Sequence, residues 1–200
     1  MKRAGSQQKL FDTGGALPNG FLYKPDFLTA EEEAELLGII EDLPLEHGEG
    51  YEGKDAKRRI LGFGWGYDFE NQRLIPGPPL PAFLRKTQTK IAKWLDLPKK
   101  SVAEALITEY PPNTALGWHR DNEKFEMIVG ISLAGWCRMR LRPIKHIGDK
   151  NNVMSIELEP RSAYVMRGPV RSDWQHSVAA TRTLRYSITF HTLPARIRVK

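Results

Sequence analysis

The stretch Thr183–His191 reads TLRYSITFH. Apolar and polar residues alternate through it. Leu184, Tyr186, Ile188 and Phe190 fall on one face of an extended chain, and Arg185, Ser187, Thr189 and His191 fall on the other. This period of two marks a β-strand with two unlike sides. The polar side faces either water or an interior pocket, and the stretch alone does not choose. The same period recurs upstream in ALITEY (105–110), MIVGISLA (127–134), CRMRLR (137–142), VMSIELE (153–159) and SAYVM (162–166), with turn residues between them. Many short strands in succession argue for a sandwich or barrel. A jelly roll is one such solution.

Ahead of these strands the pattern is helical. In LTAEEEAELLGIIEDL (28–43), Thr29 and Glu32 have capping-box spacing. Leu36, Ile39, Ile40 and Leu43 follow i, i+3, i+4, i+7 and predict one buried stripe. PAFLRKTQTKIAKWLDL (81–97) predicts a second helix, with Pro81 at its start and Leu84, Ile91, Trp94 and Leu95 on one face. Its Arg85, Lys86, Lys90 and Lys93 read as a solvated face. Residues 44–80, with the turn cluster PGPP at 76–79, read as irregular structure with short strands. Helices ahead of a β-rich half give an α+β chain with helices on one side of a double sheet.

The chain has 200 residues, enough for one domain with a proper core. Its single cysteine, Cys137, excludes an intramolecular disulfide and cysteine-rich zinc sites. No run approaches the ~20 apolar residues that span a bilayer. The first twenty residues are charged but lack the apolar core of a secretory signal. These features set the expectation of an intracellular protein, cytoplasmic or, in a eukaryote, nuclear, with no membrane partner and a monomeric state. A net charge of +6 is a modest pull toward polyanions.

GWHRDNE (117–123) places His119 and Asp121 two residues apart. On a strand both side chains point the same way and can reach one ion, although a chance His-x-Asp in a loop is common. His176, in RGPVRSDWQHSV (167–178), would complete a two-histidine, one-carboxylate triad. That set suits non-haem Fe(II) and leaves positions open for substrate and O2. Arg185, if it faces the same pocket, needs an anionic partner. Its planar fork matches a carboxylate, and a diacid such as 2-oxoglutarate supplies one.

His-x-Asp, a distant His, and an Arg nine residues on resemble the Fe(II)/2-oxoglutarate dioxygenases. HRDNE, RGPVRSDWQHSV and RYSITF resemble the AlkB-like branch, which oxidatively removes alkyl groups from nucleic-acid bases. The resemblance covers about residues 105–193. It implies a double-stranded β-helix (jelly-roll) core with N-terminal helices packed on one sheet. It divides the chain into a flexible tail, 1–16, and one dioxygenase domain, 17–200, with helices and a substrate-recognition lid in 17–104 and the catalytic jelly roll in 105–193. It implies Fe(II), 2-oxoglutarate and O2, with His119, Asp121 and His176 as iron ligands. Arg185 matches the arginine that holds the distal carboxylate of 2-oxoglutarate, and Tyr110 a tyrosine bound to the same molecule. Two positions depart from the family. Thr108 stands where an asparagine is common, and His191 stands in place of a second arginine. Thr108, Ser187, Thr189 and His191 join Arg185 and Tyr110 as expected cosubstrate contacts.

The implied reaction hydroxylates a C–H bond, and an N-methyl carbon is then released as formaldehyde. Nucleic acid is the leading substrate. Arg58, Arg59, Trp65 and Tyr67 in KRRILGFGWGYDFENQ (57–72), together with Trp118 and Glu123, are the expected substrate contacts. An enzyme acting on a base must extract and stack it. Yet Phe63, Trp65, Tyr67 and Phe69 also alternate as a core strand would. Arg138, Arg140 and Arg142 form a basic stripe that either tracks phosphates or simply faces water. Two other readings remain: a dioxygenase acting on a protein or small metabolite, and a non-catalytic nucleic-acid-binding domain.

Overall fold

The computed structural model describes residues 17–47, 57–68, 71–98 and 101–194. The expected tail, 1–16, and Phe69 lie outside them. In chain order come β1 (Phe21–Lys24), α1 (Ala30–Ile40), β2 (Glu46–His47), β3 (Arg59–Asp68), β4 (Arg73–Pro76) and α2 (Arg85–Leu95). Then follow β5 (Val102–Tyr110), β6 (Leu116–His119), β7 (Met127–Leu133), β8 (Cys137–Pro143), β9 (Met154–Leu158) and β10 (Ala163–Met166). A one-turn helix α3 (Pro169–Ser172), β11 (Trp174–Val178) and β12 (Arg185–Thr192) complete the order.

The strands form two antiparallel sheets. The larger has the order β1-β10-β7-β12-β5-β3-β2, with β4 paired to β3. The smaller has the order β6-β11-β8-β9. From β5 onward the chain passes repeatedly from one sheet to the other, which is the jelly-roll winding. Both helices cover the outer face of the large sheet. Leu36, Ile40, Leu84 and Ile91 pack there against Ile107, Ile131, Ile188 and Phe190. A second core lies between the sheets, built from residues such as Ile128, Met139, Leu141, Ile156 and Met166. Along β7 this divides alternate residues: Val129 and Ile131 face the helices, and Ile128 faces the small sheet.

The capping box at Thr29 is formed, with Thr29 N–H donating to Glu32 Oε2 and Glu32 N–H to Thr29 Oγ1. The buried stripe of α1 departs from the expected one by a turn of the wheel. Leu37, rather than Ile39, packs on the core beside Leu36, Ile40 and Leu43. The basic residues of α2 are not merely solvated: Lys86 pairs with Glu35 and Lys90 with Glu32, tying α2 to α1. The expected irregular region also contains more order, since β3 is a ten-residue strand paired to β5. The short strands β6 and β11 were not set apart by period two, and His176 lies inside β11.

Candidate active site

β12 is buried on both sides. Tyr186, Ile188 and Phe190 face the helices, while Leu184, just before the strand, is exposed. Arg185, Ser187, Thr189 and His191 line a cavity of about 470 Å³ between the sheets. Strand pairing with β5 sets Arg185 opposite Tyr110, Ser187 opposite Thr108, Thr189 opposite Leu106 and His191 opposite Glu104. The polar face of TLRYSITFH therefore looks into an interior pocket, not into water.

At one end of this ladder the Arg185 guanidinium is almost fully buried, 2% exposed. Its Nε donates to Ser132 Oγ at 3.1 Å, and its carbon lies 5.0 Å from the Tyr110 ring centroid. Its Nη1 is buried without a hydrogen-bond partner. A buried cationic donor with an unmet bond fits a carboxylate. Tyr164, which also lines this cavity, has its ring laid against Gly130, where a Cβ would come within 2.2 Å of the ring carbons.

At the other end stand His119, Asp121 and His176. β6 ends at His119, opposite His176 of β11, and Asp121 follows in the loop. The ligand atoms of the three residues lie within 4.8 Å of one another. His119 Nε2 is 3.4 Å from Asp121 Oδ1, and His176 Nε2 is 3.5 Å from Asp121 Oδ2. His119 Nδ1 sits 2.8 Å from the Gly117 carbonyl, so Nδ1 carries the proton and Nε2 is left to ligate. Burial opposes ionisation of Asp121, but the neighbouring imidazoles outweigh it and hold the carboxyl well below the usual range. Burial pushes His176 down to about 4, which keeps it neutral and able to ligate. Asp121 Oδ2 is buried without a hydrogen-bond donor. Burial opposes the charged form of His119, but Asp121 and the Gly117 carbonyl outweigh it and hold its pKa above the usual imidazole value, so a metal there would displace a proton. Two imidazole nitrogens and an unpartnered carboxylate oxygen converging on one point fit a divalent iron.

The loop that carries Asp121 is clamped. Arg171 of α3 donates to the carbonyls of Asp121, Asn122 and Phe125. Arg120 reaches back to the Ser172 carbonyl at 2.9 Å. Two arginines thus brace the segment bearing His119 and Asp121 against the turn that leads into β11 and His176. In front of this brace opens a groove of about 920 Å³, lined by Tyr67, Gln72, Glu123, Phe125, Arg171 and Gln175 among others. Arg120, Asp121 and Asn122 line both this groove and the inner cavity.

The other expected substrate contacts scatter. Arg58 lines the inner cavity. Arg59, its neighbour on an extended chain, points the opposite way and makes a two-point pair with Glu109. Trp118 lies on the outer face of the small sheet, because His119 beside it faces inward; Arg140 and Arg142 stack on its ring. Trp65 is 39% exposed on β3 and lines neither space. Sequence reasoning missed Ser132, Tyr164, Glu104 and Arg171. Only Arg171 carried a local signal, the Gly168-Pro169 helix start just ahead of it.

A jelly roll enclosing two histidines, a carboxylate and a buried arginine defines an oxygenase that uses iron with a diacid. The profile of the 2OG-Fe(II) oxygenase superfamily matches residues 20–191, and the chain belongs to that superfamily. The curated relatives that it is similar to carry ALKBH8 in their names. It is 27% identical over 172 residues to "tRNA (carboxymethyluridine(34)-5-O)-methyltransferase ALKBH8" of Macaca fascicularis, covering 84% of this chain and 25% of that protein. It is 27% identical over 191 residues to "Alkylated DNA repair protein ALKBH8 homolog" of Arabidopsis thaliana, covering 84% of this chain and 53% of that protein. The chain thus spans a quarter to about half of these relatives. Among solved structures, "The structure of OsALKBH1" superposes with a TM-score of 0.68 at 16% identity, covering 89% of this chain and 99% of that one. A prolyl hydroxylase from Trichoplax adhaerens, solved with a hypoxia inducible factor peptide, gives 0.63 at 15%, covering 90% of this chain and 86% of that one. At these identities the structural likeness shows the fold. Membership in that superfamily implies Fe(II), 2-oxoglutarate and O2, and His119, Asp121 and His176 could hold the iron. Among the described residues, no helix is long and apolar enough to cross a membrane.

Proposed function

We propose that this dioxygenase removes alkyl groups from N-alkylated bases in DNA or RNA. The observation that carries the reading is the outer groove. It opens on Asp121 from the side opposite Arg185 and offers an aromatic ring, Tyr67, with polar and charged groups around it. A flipped base needs such a stacking surface and hydrogen-bonding edge. The matched relatives carry names that refer to alkylated DNA repair and to tRNA.

His119, Asp121 and His176 would hold the iron, which with 2-oxoglutarate and O2 would supply the oxidising power for an N-alkyl C–H bond. Arg185 pairs with the distal carboxylate of 2-oxoglutarate, steadied by Ser132 and by the Tyr110 ring beneath it. Thr108, Ser187 and Thr189 follow along the cavity wall and orient the diacid toward the metal end. His191 occupies that end in place of an arginine. Burial drives its pKa down to about 4, so it acts as a neutral hydrogen-bonding group there rather than as a charge. Arg171 and Arg120 hold the ligand loop in place and border the groove.

The test is a panel of methylated DNA and RNA oligonucleotides read by mass spectrometry, with and without iron and 2-oxoglutarate. Loss of the methyl group with matching formaldehyde and succinate is the expected result. Succinate formation with no change in any oligonucleotide would redirect the activity to a protein or small-molecule substrate.

A further inference from the structure

The outer face of the small sheet lies outside the cavity and meets the groove only at Gln175. Cys137, Met139 and Leu141 of β8 point into the core, so Arg138, Arg140 and Arg142 point outward. Trp118 of β6 points the same way. The Arg142 guanidinium carbon lies 4.3 Å from the Trp118 ring centroid, and that of Arg140 lies 5.1 Å away. β11 runs between them and fixes both forks. Arg142 Nε and Nη2 donate to Gln175 Oε1 at 3.0 and 2.7 Å, and Arg140 Nε donates to Ser177 Oγ at 3.0 Å.

These partners are an amide, a hydroxyl and an indole. None carries a negative charge, and among the described residues no carboxylate pairs with either arginine. Arg138 differs: Glu157 Oε1 sits 3.1 Å from its Nη2 and neutralises it. Two guanidinium groups are thus held still with their charge uncompensated. Holding a long side chain in place costs rotamer entropy, which is then not charged again when an anion binds. Gln175 also lines the outer groove, so this platform begins where the groove ends.

We propose that Arg140 and Arg142, laid on Trp118, form a track for the phosphate backbone of the strand whose modified base occupies the outer groove. This rests on the nucleic-acid reading of the site. The two residues stand i, i+2 on a strand, roughly 7 Å apart along it, a step suited to successive phosphates. Guanidinium forks bind phosphate in two-point geometry. The face supplies anchorage without reading sequence, because it meets the backbone rather than base edges.

The test uses the full chain and an R140Q/R142Q double variant, with R138Q as control. Binding of fluorescein-labelled poly(U) is followed by anisotropy across a salt series. The double variant is expected to bind about tenfold more weakly. Its slope of log K against log salt should be shallower by about 1.4, from two lost phosphate contacts at ~0.7 each. R138Q should change neither. Turnover of a methylated nucleoside, which has no backbone to track, should be the same in all three proteins, and this also reports intact folding. An unchanged affinity and slope in the double variant, while the wild type demethylates oligonucleotides, would overturn the track and leave the nucleic-acid reading standing. A wild type that neither binds nor demethylates any oligonucleotide would remove both. Competition by poly-glutamate as effective as by poly(U) would count against a phosphate track.

Discussion

The inner cavity and the outer groove meet at Arg120, Asp121 and Asn122 and are built in opposite ways. The cavity is walled by strands, and its polar residues come in cross-strand pairs two residues apart. The groove is walled largely by loops, by α3 and by the end of β3. The cavity buries an arginine with an unmet hydrogen bond, which only a particular anion satisfies well. The groove is open and mixes aromatic, acidic and basic groups. Tight geometry on one side suits an unvarying cosubstrate, and an open, loop-built wall on the other suits a substrate that changes between relatives.

The largest expected effect falls where the two spaces join. Asp121→Ala should abolish iron-dependent turnover with an unchanged circular dichroism spectrum, a loss beyond the ~10–100-fold that follows removal of an outer partner of a metal ligand. Full activity in this variant would break the metal assignment. Arg185→Gln acts on the cavity alone. It should raise the KM for 2-oxoglutarate by about 100-fold, in the range for removing one partner of a buried ion pair, while the KM for substrate stays put. Equal shifts in both would dissolve the division between the two spaces.

Arg171→Ala tests the brace between them. Iron affinity, read by chelator competition, should fall ~10–100-fold, and Arg171→Lys should recover only part because it lacks the fork that spans three carbonyls. Tyr67→Ala acts on the groove alone. It should weaken the oligonucleotide KM by about tenfold, the scale of one lost stacking contact, with the 2-oxoglutarate KM unchanged.

The smallest effect concerns Glu104, behind His191. Burial, with Asp121 adding to it, pushes the Glu104 carboxyl up to about 8, and its Oε2 lies 3.3 Å from His191 Nδ1. A carboxyl whose folded pKa is raised contributes stability that is complete below about 4.5 and is lost as pH rises through about 8. Metal-free Glu104→Gln protein should therefore melt higher than wild type at pH 9, by about 2–4 °C for each kcal/mol in a domain of this size. The two should converge toward pH 5. A constant difference across that range would disconnect Glu104 from the pH response.

Legibility in the sequence follows the same division. The jelly-roll strands and both faces of β12 could be read because period two survives wherever one side meets the helices and the other meets the cavity. β6 and β11 could not, being four and five residues long, with Trp118 on the outer face of one and Gln175 and Ser177 on that of the other. The clustering of His119, Asp121 and His176 could be read because the first two stand two positions apart, at the end of β6 and just beyond it. Arg58 and Arg59 show the limit: alternation says that only one faces inward, but pairing with β5, some fifty positions away, decides which. Trp118 was decidable, since a cavity-facing His119 forces its neighbour outward. Ser132 and Tyr164 were not, because each reaches the site through strand order in the large sheet rather than through any local pattern.

β12 sits between β5 and β7 at the middle of the large sheet, yet follows them in the chain. The three proposed iron ligands all precede it in sequence, whereas Arg185, proposed for the diacid, lies on it. A folding chain therefore cannot close its central sheet without also delivering Arg185 to the cavity. Closure of the sheet and completion of the pocket around Arg185 are one long-range event, and a chain with β12 unpaired would lack the guanidinium proposed for the diacid.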